Sequence, residues 1–334
     1  MSAPTPRRRT APSRAGTRSA ADPRAALTSL RDEVGKAVVG QDAVVTGLVI
    51  ALLCRGHVLL EGVPGVAKTL LVKTLSRILG LDFQRVQCTS DLMPADIIGT
   101  NVLNLSTSAF NLHKGPVFTD LLLVDEVNRM PPRTQAALLE CMEEYQVTID
   151  GVRHQLPGSF SVFATQNPVE FEGTYPLPEA QLDRFLLKIR VPYPAANDEV
   201  QILSNVQNGF EAREIDSMGL TPLPTGLLAQ AQQEVKSVKV EPALFTYIVQ
   251  IARRTRDWPS LSLGASPRAA ISLMVVARAV AAIDARNYII PDDVKHAAPP
   301  VLRHRVVLKP EADLEGLTAD LIITDLLKAV EVPK

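Results

Sequence analysis

Five short apolar runs, HVLLEG (57–62), FQRVQC (83–88), LLLVDE (121–126), FSVFATQN (160–167) and FLLKIRV (185–191), alternate with helix-compatible segments between about residue 25 and residue 194. Strands that are apolar on both faces need cover on both faces, and strands separated by helices join in parallel. The alternation predicts a parallel sheet between two layers of helix, an αβα sandwich. After Pro192-Tyr193-Pro194 the strand-like runs cease, and segments such as ALFTYIVQIARRT (243–255) and PRAAISLMVVARAVAAIDA (267–285) carry helical periodicity. The expected division is an α/β domain over 25–194 and an all-helical domain over 195–334. A disordered basic tail over 1–24 precedes them, with arginines at 7, 8, 9, 14, 18 and 24 among Ser, Thr, Ala and Pro.

Composition removes several function classes. A net charge of −1 over 334 residues does not fit a wholly basic nucleic-acid protein or a highly charged disordered chain. Cys54, Cys88 and Cys141 are scattered in apolar surroundings without C-x-x-C spacing, the pattern of buried thiols in a reducing cytosol. The longest apolar stretch, AVVTGLVIALLC (43–54), falls well short of the ~20 residues of a spanning helix and reads as a core helix. A cytoplasmic protein is expected.

The residues at the strand ends carry the chemistry. In an open parallel sheet, ligands bind beyond the carboxyl ends of the strands, where helix N-termini present unpaired N–H groups. Directly after the first run stands GVPGVAKT: Gly62, Val63, Pro64, Gly65, Val66, Ala67, Lys68 and Thr69, with Leu70 next in the chain. It is close to the phosphate loop G-x-x-x-x-G-K-[ST], with Ala67 at the second glycine. Its backbone N–H groups suit a triphosphate, Lys68 suits the β and γ phosphates, and the Thr69 hydroxyl suits magnesium. Ala67 is tolerable if its φ stays negative, leaving Gly62 and Gly65 to take the tighter turns.

LLLVDE delivers Asp125 and Glu126 at a strand end, where two adjacent buried carboxylates are costly without a metal or a reaction. Successive strand residues point to opposite faces, which predicts separate roles: Asp125 for magnesium, Glu126 for polarising the attacking water. FSVFATQNP presents Asn167 at a third strand end, suited to orienting that water or sensing the γ-phosphate. Arg184 in EAQLDRFLLKI precedes the last strand. In GASPRAA, Ser266 reads as an N-cap and Pro267 as the first helical residue, which puts Arg268 in a first turn where a cation opposes the helix dipole. A residue set against its local preference points to an anion, and a γ-phosphate would serve.

GVPGVAKT, LLLVDEVNR, FATQNP, LPEAQLDRF and GASPRA, in this order and spacing, resemble the AAA+ ATPases and, within them, the MoxR group. The resemblance covers about residues 25 to 334, and DEVNRMPPRTQAALLECMEE is its most specific part; alanine at the position of Ala67 is common in that group. It implies a P-loop NTPase core with a helical lid, ATP and Mg²⁺ as cofactors, and a homo-oligomeric ring, usually hexameric. It also implies Asn167 as sensor 1, Arg184 as an arginine finger reaching a neighbour's ATP, Arg268 as the lid's sensor 2, and Val39 and Gly40 of VVGQ (38–41) beside the adenine.

NVLNLSTSAFNLHKG (101–115) and YQVTIDGVRHQL (145–156), the latter turning on Asp150-Gly151, read as hairpins interrupting the core. In relatives such features face the pore or a substrate. The leading expectation is an ATP-driven protein-remodelling chaperone acting on a protein client beside a partner with a von Willebrand factor A domain. The alternative is a nucleic-acid motor of the helicase or clamp-loader kind. The Asp-Gly hairpin tip, the absence of a helix-turn-helix module after the lid and the non-basic folded part speak against it. A small-molecule P-loop kinase would need neither the paired arginines nor the sensor asparagine.

Overall fold

The computed structural model describes residues 23–106, 108–168, 173–212, 215 and 218–333. All but the last two residues of the expected tail over 1–24 lie outside them. Five strands form one parallel sheet: β1 (Val58–Glu61), β2 (Phe83–Gln87), β5 (Leu121–Asp125), β8 (Ser161–Gln166) and β9 (Leu187–Arg190), in the order β2-β5-β8-β1-β9. Each corresponds to one of the five apolar runs. Side chains alternate between two buried faces: Val58, Leu60, Leu121 and Leu123 enter one core, while Leu59, Leu122 and Val124 enter the other.

Helices α1 (Pro23–Gly35), α2 (Asp42–Leu53) and α3 (Lys68–Leu79) cover the first face; α4 (Pro94–Ile98), α5 (Pro132–Glu144) and the short α6 (Glu179–Leu182) lie with the second. Both expected hairpins are present, β3 (Gly99–Asn104) with β4 (Ala109–Lys114) and β6 (Gln146–Ile149) with β7 (Val152–Gln155). They touch where Asn101 Nδ2 donates to Asp150 Oδ2 at 2.8 Å.

Helix α7 (Ala196–Gln207) leads to the lid: α8 (Leu227–Ser237), α9 (Pro242–Arg256), α10 (Pro267–Ile283), α11 (Pro291–Leu302), α12 (Pro310–Leu314) and α13 (Ala319–Ala329). Buried alanines at 269, 277, 279, 281 and 282 let α10 approach its neighbours closely, and this surface joins the core that buries Val44 and Leu48 of α2. Lid and sheet therefore share one hydrophobic cluster. The lid differs from an all-helical reading: β10 (Leu261–Leu263) pairs antiparallel with β11 (Val307–Leu308), and Lys239 forms an isolated parallel bridge with Tyr288. Runs of two and three residues are too short to show a period of two. No helix among the described residues is long and apolar enough to cross a membrane.

Candidate active site

The phosphate loop leaves β1 and enters α3. Gly62 N–H donates to Gln166 O at 3.2 Å, which fastens the loop's start to β8, and Lys68 Nζ donates across the loop to Gly62 O at 2.5 Å. The glycines serve different ends. Gly65 has φ +86°, a left-handed turn, whereas a Cβ on Gly62 would lie 2.6 Å from Val191 O. Gly62 thus permits close approach to the chain beyond β9. Ala67 departs from the expected negative φ: it sits at +59° as the residue before α3. Its αL backbone turns the chain from the loop into the helix, and an L-residue there costs about 1–2 kcal/mol. Strain of this kind gathers at functional loops whose surroundings over-determine it. Val39, Gln41, Gly65, Ala67 and Leu70 border a narrow cavity closed by Pro194 and Phe210, with Gly40 between the first two in the chain.

The two carboxylates are separated by backbone conformation more than by strand pleat. Asp125 ends β5, and Glu126, at φ +59°, starts the 3₁₀ turn Val127–Arg129. Thr165 of β8 fixes both: its hydroxyl accepts from Glu126 N–H at 2.9 Å and donates to Asp125 Oδ1 at 3.1 Å. Asp125 Oδ2 accepts from Thr69 Oγ1 at 3.1 Å and from Arg85 Nε at 2.7 Å. Glu126 Oε2 meets Gln87 Nε2 at 3.2 Å and Arg129 Nε at 3.1 Å. Asn167 is buried one residue past β8, at the same carboxyl end of the strands. Cys88, whose N–H donates to Asp125 O, is a buried thiol pushed up to about 12 by burial and by the charges of Asp125 and Glu126. Sequence reasoning misses Arg85, Gln87 and Thr165. Thr165 alone carries a signal, since it lies within FATQN.

The arginines are elsewhere. Arg184 Nη1 lies 2.7 Å from Glu143 Oε2 and donates to Leu139 O at 2.7 Å; Arg268 Nη2 lies 2.7 Å from Glu143 Oε1. The anion that Arg268 meets in the single chain is this carboxylate, which the hydrogen bond from Arg268 and the charge of Arg184 hold below the usual carboxylate range. Arg184 precedes β9, and Leu186 N–H donates to His57 O at 2.8 Å, so the cluster stands at the entry to β1. The phosphate loop stands at its exit. Gly56 and Gly62 stand six steps apart along the chain on either side of β1, about 20 Å at ~3.3 Å per residue, too far for one arginine side chain to cross. The structure thus gathers Lys68, Thr69, Asp125, Glu126 and Asn167 at one end of the sheet and Arg184 with Arg268 at the other.

Known proteins show the same architecture. Residues 57–187 match the family model described as "ATPase family associated with various cellular activities (AAA)", and residues 253–326 match the AAA lid domain. Chaperone MoxR1 of Mycobacterium tuberculosis is 43% identical over 317 residues, covering 90% of this chain and 81% of that protein. The chain belongs to the MoxR family of AAA ATPases. Protein MoxR of Methylorubrum extorquens is 33% identical over 339 residues, covering 95% of this chain and 97% of that protein. A crystal structure of a proposed ATPase from Cytophaga hutchinsonii superposes with a TM-score of 0.85 at 42% identity, covering 93% of this chain and 96% of that one. The MoxR-type chain is accordingly a nucleotide-binding ATPase with a sheet core and a helical lid.

Proposed function

We propose that this ATPase works as a homo-oligomeric ring, usually hexameric in such proteins, in which each active site is completed by the next subunit. The observation that carries the reading is the separation of the half-sites. Arg184 and Arg268 share Glu143 at one end of the sheet, while the loop and carboxylates occupy the other. Bringing arginine to phosphate then requires a second copy whose arginine end faces the first copy's phosphate end.

At the joint site the loop N–H groups and Lys68 bind the β and γ phosphates, and the cavity beside Val39 and Gly40 takes the adenine. Glu126 polarises the attacking water and Asn167 orients it. Arg184 and Arg268 of the neighbour face the charge that develops on the γ-phosphate. Thr69 and Asp125 offer a hydroxyl and a carboxylate 3.1 Å apart, hard oxygen donors that fit magnesium. A magnesium ion held by these two oxygens would neutralise phosphate charge, in the place where Arg85 Nε now meets Asp125 Oδ2 at 2.7 Å.

The work of the cycle, on this reading, is remodelling of a protein client in the cytoplasm, beside a partner with a von Willebrand factor A domain. The β3–β4 hairpin supports a polypeptide ligand over nucleic acid. It exposes Val102, Leu103, Leu105 and Phe110, and Lys114 is its single charged side chain. Nucleic-acid binding rests on clustered Lys and Arg.

The test is a mixing experiment. Lys68→Ala and Arg184→Ala rings are each expected to be nearly inactive. Mixed with verified subunit exchange, they regain ATPase activity, because the Lys68→Ala subunit lends its arginine to the intact loop of its neighbour. No recovery at any ratio would show that Arg184 acts within its own subunit or only structurally.

A further inference from the structure

Directly after α11 the lid carries Arg303-His304-Arg305, and all three side chains turn onto core backbone. Arg303 Nη1 donates to Lys188 O at 3.1 Å, and His304 Nε2 lies 2.9 Å from Phe185 O. Arg305 does most. It donates to Asp183 O at 3.1 Å, Phe185 O at 2.7 Å and Leu186 O at 3.1 Å, and its Nε meets Asp183 Oδ1 at 2.6 Å. Val301 O at 2.6 Å and Ser272 Oγ at 3.3 Å take its remaining contacts.

The Arg305 side chain is only 2% exposed, and a guanidinium so buried persists only when its donors are met. Here they converge on one stretch, 183–186, whose functional side chain is Arg184. The second carboxylate oxygen of Asp183, Oδ2, accepts from Ser266 Oγ at 3.0 Å. Ser266 is the N-cap of α10, two residues before Arg268. One pair, half-buried Asp183 with buried Arg305, therefore ties the backbone of the first arginine to the helix start that bears the second.

We propose that Arg305 is a positioning residue for hydrolysis in the neighbouring subunit. By locking residues 183–186 against the lid, it holds Arg184 and Arg268 in one fixed array, so the seating of a subunit's lid sets how well that subunit serves the next. The proposal rests on completion of the site between subunits. Its physical premise is that a displacement of about 1 Å at a catalytic group costs on the order of 10²-fold in rate.

Arg305→Lys keeps the charge but replaces five forked donors by three on a point charge. In the Lys68→Ala plus Arg184→Ala mixture, every working interface uses the arginine end of the Lys68→Ala subunit. Arg305→Lys placed in that subunit is expected to lower the recovered kcat at least tenfold, with KM for ATP unchanged. Placed in the Arg184→Ala subunit, whose arginine end already serves no working site, it is expected to change activity less than twofold. Equal losses in both placements, or no loss in either, would overturn the proposal. Ring assembly by size-exclusion chromatography accompanies each mixture. If Arg305→Lys does not assemble, Asp183→Asn, isosteric and still an acceptor, is expected to show the same asymmetry. Failure of the parent mixture to recover would instead overturn completion between subunits, and this inference with it.

Discussion

The two ends of the central sheet are built on different principles. At the phosphate end the working groups sit on strand ends and one continuous loop, held by near neighbours: Thr165 bridges Asp125 and Glu126, and Lys68 folds over Gly62. At the arginine end Glu143 closes α5, Arg184 precedes β9, Arg268 opens α10 and Arg305 stands just past α11. The first is a nearly complete binding site. The second is a set of cations assembled by tertiary packing, Arg184 and Arg268 anchored on Glu143 and Arg305 on Asp183. In the ring proposed above, half-sites at opposite ends of one chain would complement each other between neighbours.

The largest expected effects lie at the phosphate end. Lys68→Ala removes the ammonium group proposed to meet the β and γ phosphates and is expected to abolish ATP binding, measured by calorimetry. Glu126→Gln keeps the shape and is expected to bind ATP while losing turnover by several orders of magnitude. Wild-type hydrolysis by Glu126→Gln would remove Glu126 from the water-polarising role. At the arginine end, Arg184→Ala is expected to cost on the order of 10³ or more in kcat. Arg268→Ala is expected to be recovered by Lys68→Ala subunits in mixtures, as Arg184→Ala is. Recovery of one arginine without the other would split the cluster that the shared Glu143 unites.

A third test concerns the floor beneath the arginines. His57 is fully buried, its Nδ1 accepting from Val162 N–H at 2.9 Å and its Nε2 lying 2.9 Å from Met142 O, and burial lowers its pKa to about 4. The unfolded chain binds a proton near pH 6.5 and the folded chain does not until about pH 4. The contribution is therefore complete above pH 6.5 and is lost as pH falls toward 4, on the order of 2 kcal/mol by pH 5. Urea unfolding at pH 7.5 and pH 5.0 measures it. His57→Gln is expected to shrink the difference, whereas an unchanged difference would place the titration elsewhere, for instance at His304, which burial also lowers.

This asymmetry decides what was legible in the sequence. The five strands and the phosphate loop could be read because their signals are local: runs of strand length, three of which lead directly into the loop, Asp125 with Glu126, and Asn167. Arg184 and Arg268 could be singled out, but their meeting could not, because Glu143 lies among Glu140, Cys141, Met142 and Glu144 in an ordinary helical charge pattern. Arg305 reads as one more basic residue after a helix, and only the fold shows it buried against Asp183. Arg85 and Gln87 on β2 are alternate polar residues of an edge strand until β5 is laid beside them.

Glu143 sharpens the comparison with a moderate effect. Its contacts are partly exposed, so Glu143→Gln is expected to change stability by less than about 1 kcal/mol. The same substitution releases two arginines from a common anchor and is expected to lower kcat about tenfold with little change in KM. A rise in kcat would mean that the carboxylate competes with phosphate and restrains the arginines.

The smallest effects separate two residues of the loop. Ala67 holds φ +59°, a conformation that glycine enters without the Cβ penalty, while glycine also raises the entropy of the unfolded chain. The penalty exceeds that entropy term by a little, so Ala67→Gly is expected to stabilise the protein by about 0.5 kcal/mol and to raise KM for ATP two- to threefold as the loop loses pre-organisation. Gly62→Ala carries the opposite sign, because its Cβ would stand 2.6 Å from the backbone carbonyl of Val191, which no rotamer change relieves. Its expected cost is about 1 kcal/mol or more, of order with other overpacking substitutions. Thermal unfolding of the nucleotide-free variants measures both. Destabilisation by Ala67→Gly would mean that the left-handed turn into α3 is not held in solution, and the strain assigned to the phosphate end would go with it.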